Sequence, residues 1–358
     1  MRILVATNHL VNTGGTENFT YALISELCSR GYEVEYFCNP VLRGRMAKKI
    51  ESELGVSFKS RASYDLVLAN HSYIVNKLRG VGVIIQTCHG VFPPLEQPAT
   101  GADAYVAISR EIQLHIESLG LKSDVILNGI DCQQFAPIKK IHKELRCVLS
   151  LCQGEQATAY VKQICDTLGV DMMQASKFNN NVFNIEELIN KADLVVGVGR
   201  SLYDAMACGR ACISLDSRDY STRKDGCSVV GDGYLASDNI EQSIEYNCTG
   251  RGTGRGFKSA DELMPDFERY CSDDGDFMRE YALQRLNMAK NVDAYLEIYN
   301  KINRERTLLE KLAFFARRCK LLLTSLLRFI VTLENQFIDE KKYKVFKLLN
   351  ITLYKRLK

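Results

Sequence analysis

The sequence predicts an α/β protein of two domains, each a mostly parallel sheet between helices, facing each other across a cleft. Three observations predict it. Buried-type strands alternate with helical patterns in two successive series, the pattern of parallel sheets covered by helices. A polar, basic stretch at 138–143 separates the two series, as at a domain junction. The 358 residues, 46% hydrophobic and 25% charged, suffice for two cores at ~100–200 residues per domain. The same composition excludes collagen-like, largely disordered and multi-span membrane chains.

The first series occupies residues 1–137. Ile3–Thr7 is continuously apolar, as a parallel strand buried on both faces is. Gly14-Gly15-Thr16-Glu17 turns the chain into a helix that ends at Gly31, and Glu33–Cys38 is the next strand. Asp65–Ala69, Val81–Gln86, Ala104–Ile108 and Asp124–Leu127 complete a set of about six. The second series occupies 138–275. Arg146–Leu151 reads as a strand, Ala157–Thr167 as a helix, Ile185–Asn190 as a short helix and Asp193–Val198 as a buried strand. A helix Ser201–Cys208 closes at Gly209 as its C′ residue, and Ala211–Leu215 is a further strand. Two βαβ halves of comparable size read as two Rossmann-like domains. Asp225-Gly226 and Gly231-Asp232-Gly233 read as turns, the second with the alternative of lining a sugar pocket, and Arg251–Gly256 reads as a flexible basic surface loop in preference to a phosphate loop.

From Asp276 the pattern turns helical. Residues 276–303 read as a helix that crosses back to the first domain. Residues 304–358 read as a basic amphipathic helical extension, with Leu308–Leu333 its clearest segment. Residues 301–358 hold fifteen Lys/Arg and five Asp/Glu, a net +10, against −7 for the first 300. A mildly acidic body with a basic tail argues against a DNA reader and for a surface anchor. The expected partner of the tail is therefore an anionic membrane surface, met peripherally on the cytoplasmic face of the plasma membrane. No stretch is apolar for the ~18–20 residues that a membrane span needs. Thirteen irregularly spaced cysteines without a Cys-x-x-Cys pair, and an N-terminus that runs straight into a strand, suggest reduced thiols in a cytoplasmic protein. The five histidines stand apart in sequence, so no metal site is expected.

Three segments carry candidate chemistry. Gly14 and Gly15 follow the first strand and open a helix, where missing Cβ atoms and free N–H groups suit a phosphate; the plain alternative is a tight turn. His89 follows a strand, at the carboxyl edge where open α/β sheets bind ligands. A neutral imidazole there would donate to, or polarise, a substrate oxygen, or else satisfy a loop carbonyl. The richest segment is Ala192–Arg210. A strand runs through Gly197-Val198-Gly199 into a helix with Ser201 as N-cap and Asp204 at its third position. The Gly199-Arg200-Ser201 backbone would meet a diphosphate, with Arg200 as counter-charge, and Asp204 would accept two ribose hydroxyls or simply support the helix start. Gly-x-Gly-x-x-Gly is absent after the first strand, and Leu202 replaces the third glycine in the second domain, which disfavours a nicotinamide enzyme.

Taken in order, the Gly14–Glu17 loop, His89, the Asn128-Gly129-Ile130-Asp131 hinge with Phe135 and Pro137, and the Asp204-Ala205-Met206-Ala207-Cys208-Gly209 block resemble retaining glycosyltransferases of the family-4 type. The resemblance covers residues 1–215. It implies the GT-B fold, an acceptor domain followed by a donor domain, and sugar transfer with retention from a nucleotide-sugar, UDP- or GDP-linked, without metal or other cofactor. It implies a glycan or lipid-linked acceptor in cell-envelope polysaccharide synthesis and no nucleic acid partner. By resemblance Gly15 approaches the donor phosphates, His89 contacts the donor sugar, and Asp204 takes the place of the ribose carboxylate, with Gly14, Asn128, Gly199, Arg200 and Ser201 around them. The chain departs from the family's Glu-x7-Glu pair, with Val196 and Asp204 at those positions. It also has Leu151-Cys152-Gln153-Gly154-Glu155 where the family has an Arg and a Lys, leaving Arg200 or Lys162 to supply that charge. A sugar-nucleotide epimerase on the same fold and a non-catalytic binding or scaffold subunit are the competing expectations.

Overall fold

The computed structural model describes residues 1–176, 182–217, 227–252 and 254–305, together with the strands within 331–357. The first sheet holds six parallel strands, β1 (Arg2–Ala6), β2 (Glu33–Phe37), β3 (Leu66–Ala69), β4 (Val83–Cys88), β5 (Ala104–Ala107) and β6 (Asp124–Val125). Helices α1 (Gly15–Ser29), α2 (Arg45–Leu54), α3 (Ser72–Lys77) and α4 (Arg110–Ser118) connect them. All six strands lie within a few residues of their sequence positions. Their spatial order is β2-β1-β3-β4-β5-β6. The order reverses beside β1, so the loops after β1 and β3 part and leave a crevice at their carboxyl ends.

Side-chain alternation makes both faces of this sheet apolar. Ile3, Val5, Leu66, Leu68 and Ile85 pack with Phe19, Leu23 and Leu27 of α1. Leu4, Ala6, Val67, Ala69 and Ile84 pack with Ile74, Val75 and Leu78 on the other side. Each such side chain, fully buried, contributes roughly 1.5–3 kcal/mol relative to exposure.

The second sheet holds β7 (Cys147–Ser150), β8 (Asp171–Gln174), β9 (Leu194–Gly197), β10 (Ala211–Asp216), β11 (Val229–Leu235) and β12 (Arg255–Phe257), in the order β12-β11-β10-β9-β7-β8. Its helices are α5 (Glu155–Leu168), α6 (Ile185–Ile189), α7 (Arg200–Ala207), α8 (Ile240–Glu245), α9 (Ala260–Glu268) and α10 (Asp273–Tyr281). Strands β8, β7, β9 and β10 are parallel, whereas β11 and β12 run antiparallel at one edge. Here the structure corrects the sequence reading. Gly231-Asp232-Gly233 is not a turn but the buried centre of β11. A Cβ on Gly231 would lie 2.0 Å from the Ser214 carbonyl oxygen of β10, so the glycine serves a close strand approach. The Arg251–Gly256 stretch is likewise no free loop: its end, from Arg255, is edge strand β12, paired with β11. The Asp225-Gly226 turn lies outside the described residues.

The chain crosses between the domains twice, and the two crossings are bonded together: Ile130 N–H donates to Leu286 O (2.7 Å) and Met288 N–H to Ile130 O (2.9 Å). The second crossing leads into α11 (Met288–Glu305), which lies on the first domain beside α1. Tyr295 is buried there with its hydroxyl 2.7 Å from Thr87 Oγ1, and Arg30 of α1 donates to Ala289 O at 2.6 Å and pairs with Asp293.

The C-terminal segment departs from the helical expectation for 304–358. Three strands within 331–357 pair antiparallel: β13 (Val331–Ile338), β14 (Lys341–Leu348) and β15 (Ile351–Leu357). These segments carry β-branched and aromatic residues, among them Val331, Thr332, Phe337, Ile338, Tyr343, Val345, Phe346, Ile351, Thr352 and Tyr354, which favour strands. The amphipathic segment Leu308–Leu333 lies outside the described residues up to 330. Among the described residues no helix is long and apolar enough to cross a membrane.

Candidate active site

The carboxyl edges of the two sheets face one cleft of about 570 Å³. All eight residues singled out from the sequence line it: Gly14, Gly15, His89, Asn128, Gly199, Arg200, Ser201 and Asp204. Gly14 and Gly15 lie between β1 and α1. A Cβ on Gly14 would press on the Glu17 carboxylate at 2.5 Å, but one on Gly15 would meet nothing within 4 Å. Internal packing therefore does not require a glycine at position 15, which lies open on the cleft.

On the second-domain wall, β9 ends in Gly197-Val198-Gly199. Gly199 has φ +59°, a left-handed value that glycine adopts without strain, and it is the N-cap of α7. The helix therefore begins at Arg200, one residue before the sequence expectation. Ser201 is not the N-cap: its hydroxyl donates back to Val198 O at 2.7 Å. Asp204 consequently lies a full turn inside the helix, on the same face as Arg200, with Nε to Oδ1 at 3.6 Å.

Arg200 and Asp204 are both more than nine-tenths buried. The Arg200 Nη1 donates to Gly129 O (2.8 Å) and to Asn128 Oδ1 (3.4 Å), tying α7 to the inter-domain hinge. Its Nε and Nη2, and Oδ1 of Asp204, make no hydrogen bond among the described residues. Burial pushes the Asp204 carboxyl up to about 6 against the pull of Arg200, and burial likewise lowers the Arg200 guanidinium despite Asp204. The other arginine of the block behaves differently. Arg210 is fully buried, and its Nε, Nη1 and Nη2 donate to the carbonyls of Cys208 (2.8 Å), Ala192 (3.1 Å) and Lys139. Arg210 is satisfied by backbone, whereas Nε and Nη2 of Arg200 are left without a hydrogen bond among the described residues. Lys162 is excluded as the missing charge, since it is exposed on α5 and paired with Asp166 at 2.9 Å.

On the first-domain wall His89 follows β4. Its Nε2 is 3.2 Å from Asn70 Oδ1, Asn70 Nδ2 donates to Thr20 Oγ1 (2.9 Å), and Thr20 Oγ1 donates to Thr16 O (2.7 Å). The ring proton is therefore on Nε2 and directed to Asn70. In that tautomer the neutral ring keeps a lone pair on Nδ1 as an acceptor. Burial, with His71 and Arg200 adding to it, lowers its pKa to about 3, so the ring is neutral under ordinary conditions.

Sequence reasoning missed two neighbours. His9 follows β1 and His71 follows β3, and both line the cleft with their rings 5.4 Å apart. Asn8-His9 and Asn70-His71 repeat one dipeptide at two strand ends, a signal that pointed to this edge. Glu96, seated over Gly90, also lines the cleft, and burial pushes its carboxyl up to about 7. Across the cleft mouth Arg251 of the second domain donates to both oxygens of Glu111 on α4 (2.7 and 2.6 Å) and lies 5.5 Å from the Phe92 ring. This bidentate pair ties the two walls together.

No family model matches the chain, and no curated protein does. Solved structures do resemble it. One is an alpha-glucosyltransferase in complex with UDP, 9% identical, covering 84% of this chain and 100% of that one at a TM-score of 0.50. Another is a putative UDP-N-acetylglucosamine 2-epimerase from Listeria monocytogenes, 10% identical, covering 83% and 94% at a TM-score of 0.50. The apo form of a lipopolysaccharide outer core galactosyltransferase is 15% identical, covering 79% and 99% at a TM-score of 0.41. The shared architecture is the GT-B fold, two Rossmann-like domains opening onto one cleft.

Proposed function

We propose that the chain is a glycosyltransferase that moves a sugar from a nucleotide-sugar to a hydroxyl-bearing acceptor. The observation that carries this reading is the buried Arg200–Asp204 pair with unused hydrogen-bonding atoms at the start of α7, facing Gly15 and His89 across the cleft. The donor's diphosphate lies against the Gly199–Ser201 backbone with Nε and Nη2 of Arg200 as counter-charge. Asp204 accepts from the ribose hydroxyls. Gly15 lets the phosphates approach from the other wall, and Nδ1 of His89 accepts from a hydroxyl of the sugar. Arg200 thus takes over from the Arg and Lys that the resembled family places after the first strand of its second domain. Charge building on the departing diphosphate meets a fixed, buried cation, which is how such a site accelerates transfer without a covalent nucleophile.

The finer reading follows the sequence resemblance: UDP or GDP as nucleotide, retention at the transferred carbon, and a glycan or lipid-linked acceptor in cell-envelope synthesis. The net +10 of residues 301–358 supports peripheral contact with an anionic membrane at the cytoplasmic face.

The test is incubation with UDP- and GDP-sugars, with and without glycan acceptors. Release of UDP or GDP that rises with acceptor, with a new glycoside formed, supports the transferase. Conversion of the nucleotide-sugar to its epimer without acceptor would make it an epimerase. Binding of UDP or GDP without either reaction would make it a binding subunit.

A further inference from the structure

The loop after β4 faces the cleft from the first domain, and two of its residues, Phe92 and Glu96, line the cleft without a part in holding the donor. Phe92 is 55% exposed, with the Arg251 guanidinium 5.5 Å from its ring. A large aromatic ring left in water inside a cleft presents a flat apolar face to a ligand. The Glu96 carboxyl is seated over Gly90, where a Cβ would collide with its Oε2. Burial alone pushes that carboxyl up to about 7, and no hydrogen bond or charge among the described residues offsets the lost water. The loop itself is fixed. Pro93 and Pro94 restrict its backbone, Glu96 N–H donates to Pro93 O (3.0 Å), and Gln97 Nε2 donates to Val91 O (3.1 Å) and Pro93 O (3.3 Å). The charge on this wall has one sign. Among the described residues, those of the first domain that line the cleft include the carboxylates of Glu17 and Glu96 and no lysine or arginine. Of the two second-domain arginines there, Arg251 is held by both oxygens of Glu111, and Arg200 lies at the start of α7.

We propose that Phe92 and Glu96 form the acceptor subsite, and that the sugar they hold is uncharged and carries two adjacent hydroxyls. This rests on the glycosyl-transfer reading of the cleft and names the acceptor class for it. The apolar C–H face of a pyranose ring packs on Phe92. Two neighbouring hydroxyls donate to the two oxygens of Glu96, which gives the carboxylate the partners that burial took away. Glu96 and Glu17 disfavour a ring that itself carries a phosphate or a carboxylate, because no first-domain cation lines the cleft to neutralise it among the described residues. Any phosphate of a lipid-linked acceptor then lies away from the ring held here.

The experiment uses the full chain, with UDP and GDP binding measured by calorimetry. Transfer from UDP-glucose, UDP-galactose, UDP-N-acetylglucosamine or GDP-mannose is followed to the p-nitrophenyl glucoside, galactoside and mannoside, and to two anions, the glucuronide and glucose-6-phosphate. We expect the wild type to favour the neutral glycosides in kcat/KM by at least about tenfold. Glu96→Gln should raise the acceptor KM roughly 10–100-fold, with nucleotide affinity unchanged, which also reports an intact fold. Glu96→Lys should turn the preference toward the glucuronide. Phe92→Ala should raise the acceptor KM about tenfold, and Phe92→Tyr should restore it. An unchanged acceptor KM in Glu96→Gln or in Phe92→Ala overturns the proposal while the donor reading stands. So does a wild type that prefers the anionic acceptors or uses no neutral glycoside. A wild type that neither binds UDP or GDP nor consumes any donor overturns both.

Discussion

On the first-domain wall of the cleft two of the three histidines are held neutral by burial, and hydrogen bonds set their tautomers; on the second-domain wall a cation and an anion are buried together with hydrogen-bonding atoms left over. The histidine side is largely satisfied as it stands. The Arg200–Asp204 side is not, and a protein retains such a pair at a cost in stability. The contrast with Arg210 sharpens the point. Two arginines ten positions apart are both buried, yet one donates from all three nitrogens to carbonyls and the other from one. The difference is what supports the proposed placing of the donor's diphosphate on the second-domain wall.

The largest expected effect comes from breaking the charged wall. Arg200→Met should lower UDP or GDP affinity by roughly 10–100-fold, since two charge-assisted hydrogen bonds are removed. It should also destabilise the fold by about 3–5 kcal/mol, because Asp204 stays buried without its partner. Arg200→Met/Asp204→Leu should recover most of that stability and none of the affinity, as urea denaturation and calorimetry together would show. Recovery of nucleotide binding in the double variant would contradict the assignment of Arg200 to the diphosphate.

His89→Ala should act on turnover, by about tenfold or more, and little on nucleotide affinity, because the proposed site sets the ring against the sugar and not the nucleotide. An equal loss in both would make His89 a structural residue. Asp204→Asn keeps the shape of the ribose site but loses a charged acceptor worth roughly 1.5–3 kcal/mol, so nucleotide affinity should fall about tenfold while the fold persists. Unchanged affinity in a folded variant would remove Asp204 from the site.

The smallest effect is in the pH dependence of stability, where the walls should pull in opposite directions. His71 and His89 titrate in the fold at about 4 and about 3, below the usual imidazole value of about 6.5. The unfolded chain binds their protons first, so their contribution is complete above about pH 6.5 and is lost as pH falls toward 4 and 3. Asp204 is raised to about 6. The folded chain binds its proton first, so its contribution is present below about pH 4 and is lost as pH rises through 6. Urea midpoints from pH 4 to 7 should therefore respond oppositely to His89→Gln, which flattens the loss on acidification, and Asp204→Asn, which flattens the loss on going up. Parallel shifts in the two variants would show that these groups do not set the slopes.

Much of the molecule was legible before any coordinates. Six strands of the first sheet and three of the second stand out as short apolar runs, and all eight residues proposed for the cleft do line it. What was not legible has specific causes. Strand β11 was disguised by Gly231 and Gly233, which read as turn residues when only their position in a chain is known. In the fold a side chain on Gly231 would collide with β10, and Gly233 has φ +75° with Asp266 against it. The strands within 331–357 carry enough leucine, phenylalanine and lysine to pass for a helical pattern, while their β-branched and aromatic residues suit strands. Asp204 was placed two positions too near the helix start because Ser201, a favoured N-cap residue, was taken for the cap that Gly199 provides.

By itself the sequence determined which residues stand at strand ends: local apolar runs place β1, β3, β4, β7 and β9, and whatever follows a strand emerges at its carboxyl edge. It determined too that the second domain carries arginine and aspartate a helical turn apart, which fixes them on one face of α7. Only the tertiary structure decided that His9, His71 and His89 belong to one wall, because that depends on β1, β3 and β4 being spatial neighbours, and strand order is a long-range property. Only the tertiary structure separated Arg200 from Arg210 as well. Both are the same residue in the same segment, and what distinguishes them is which carbonyls the folded backbone brings within hydrogen-bonding reach.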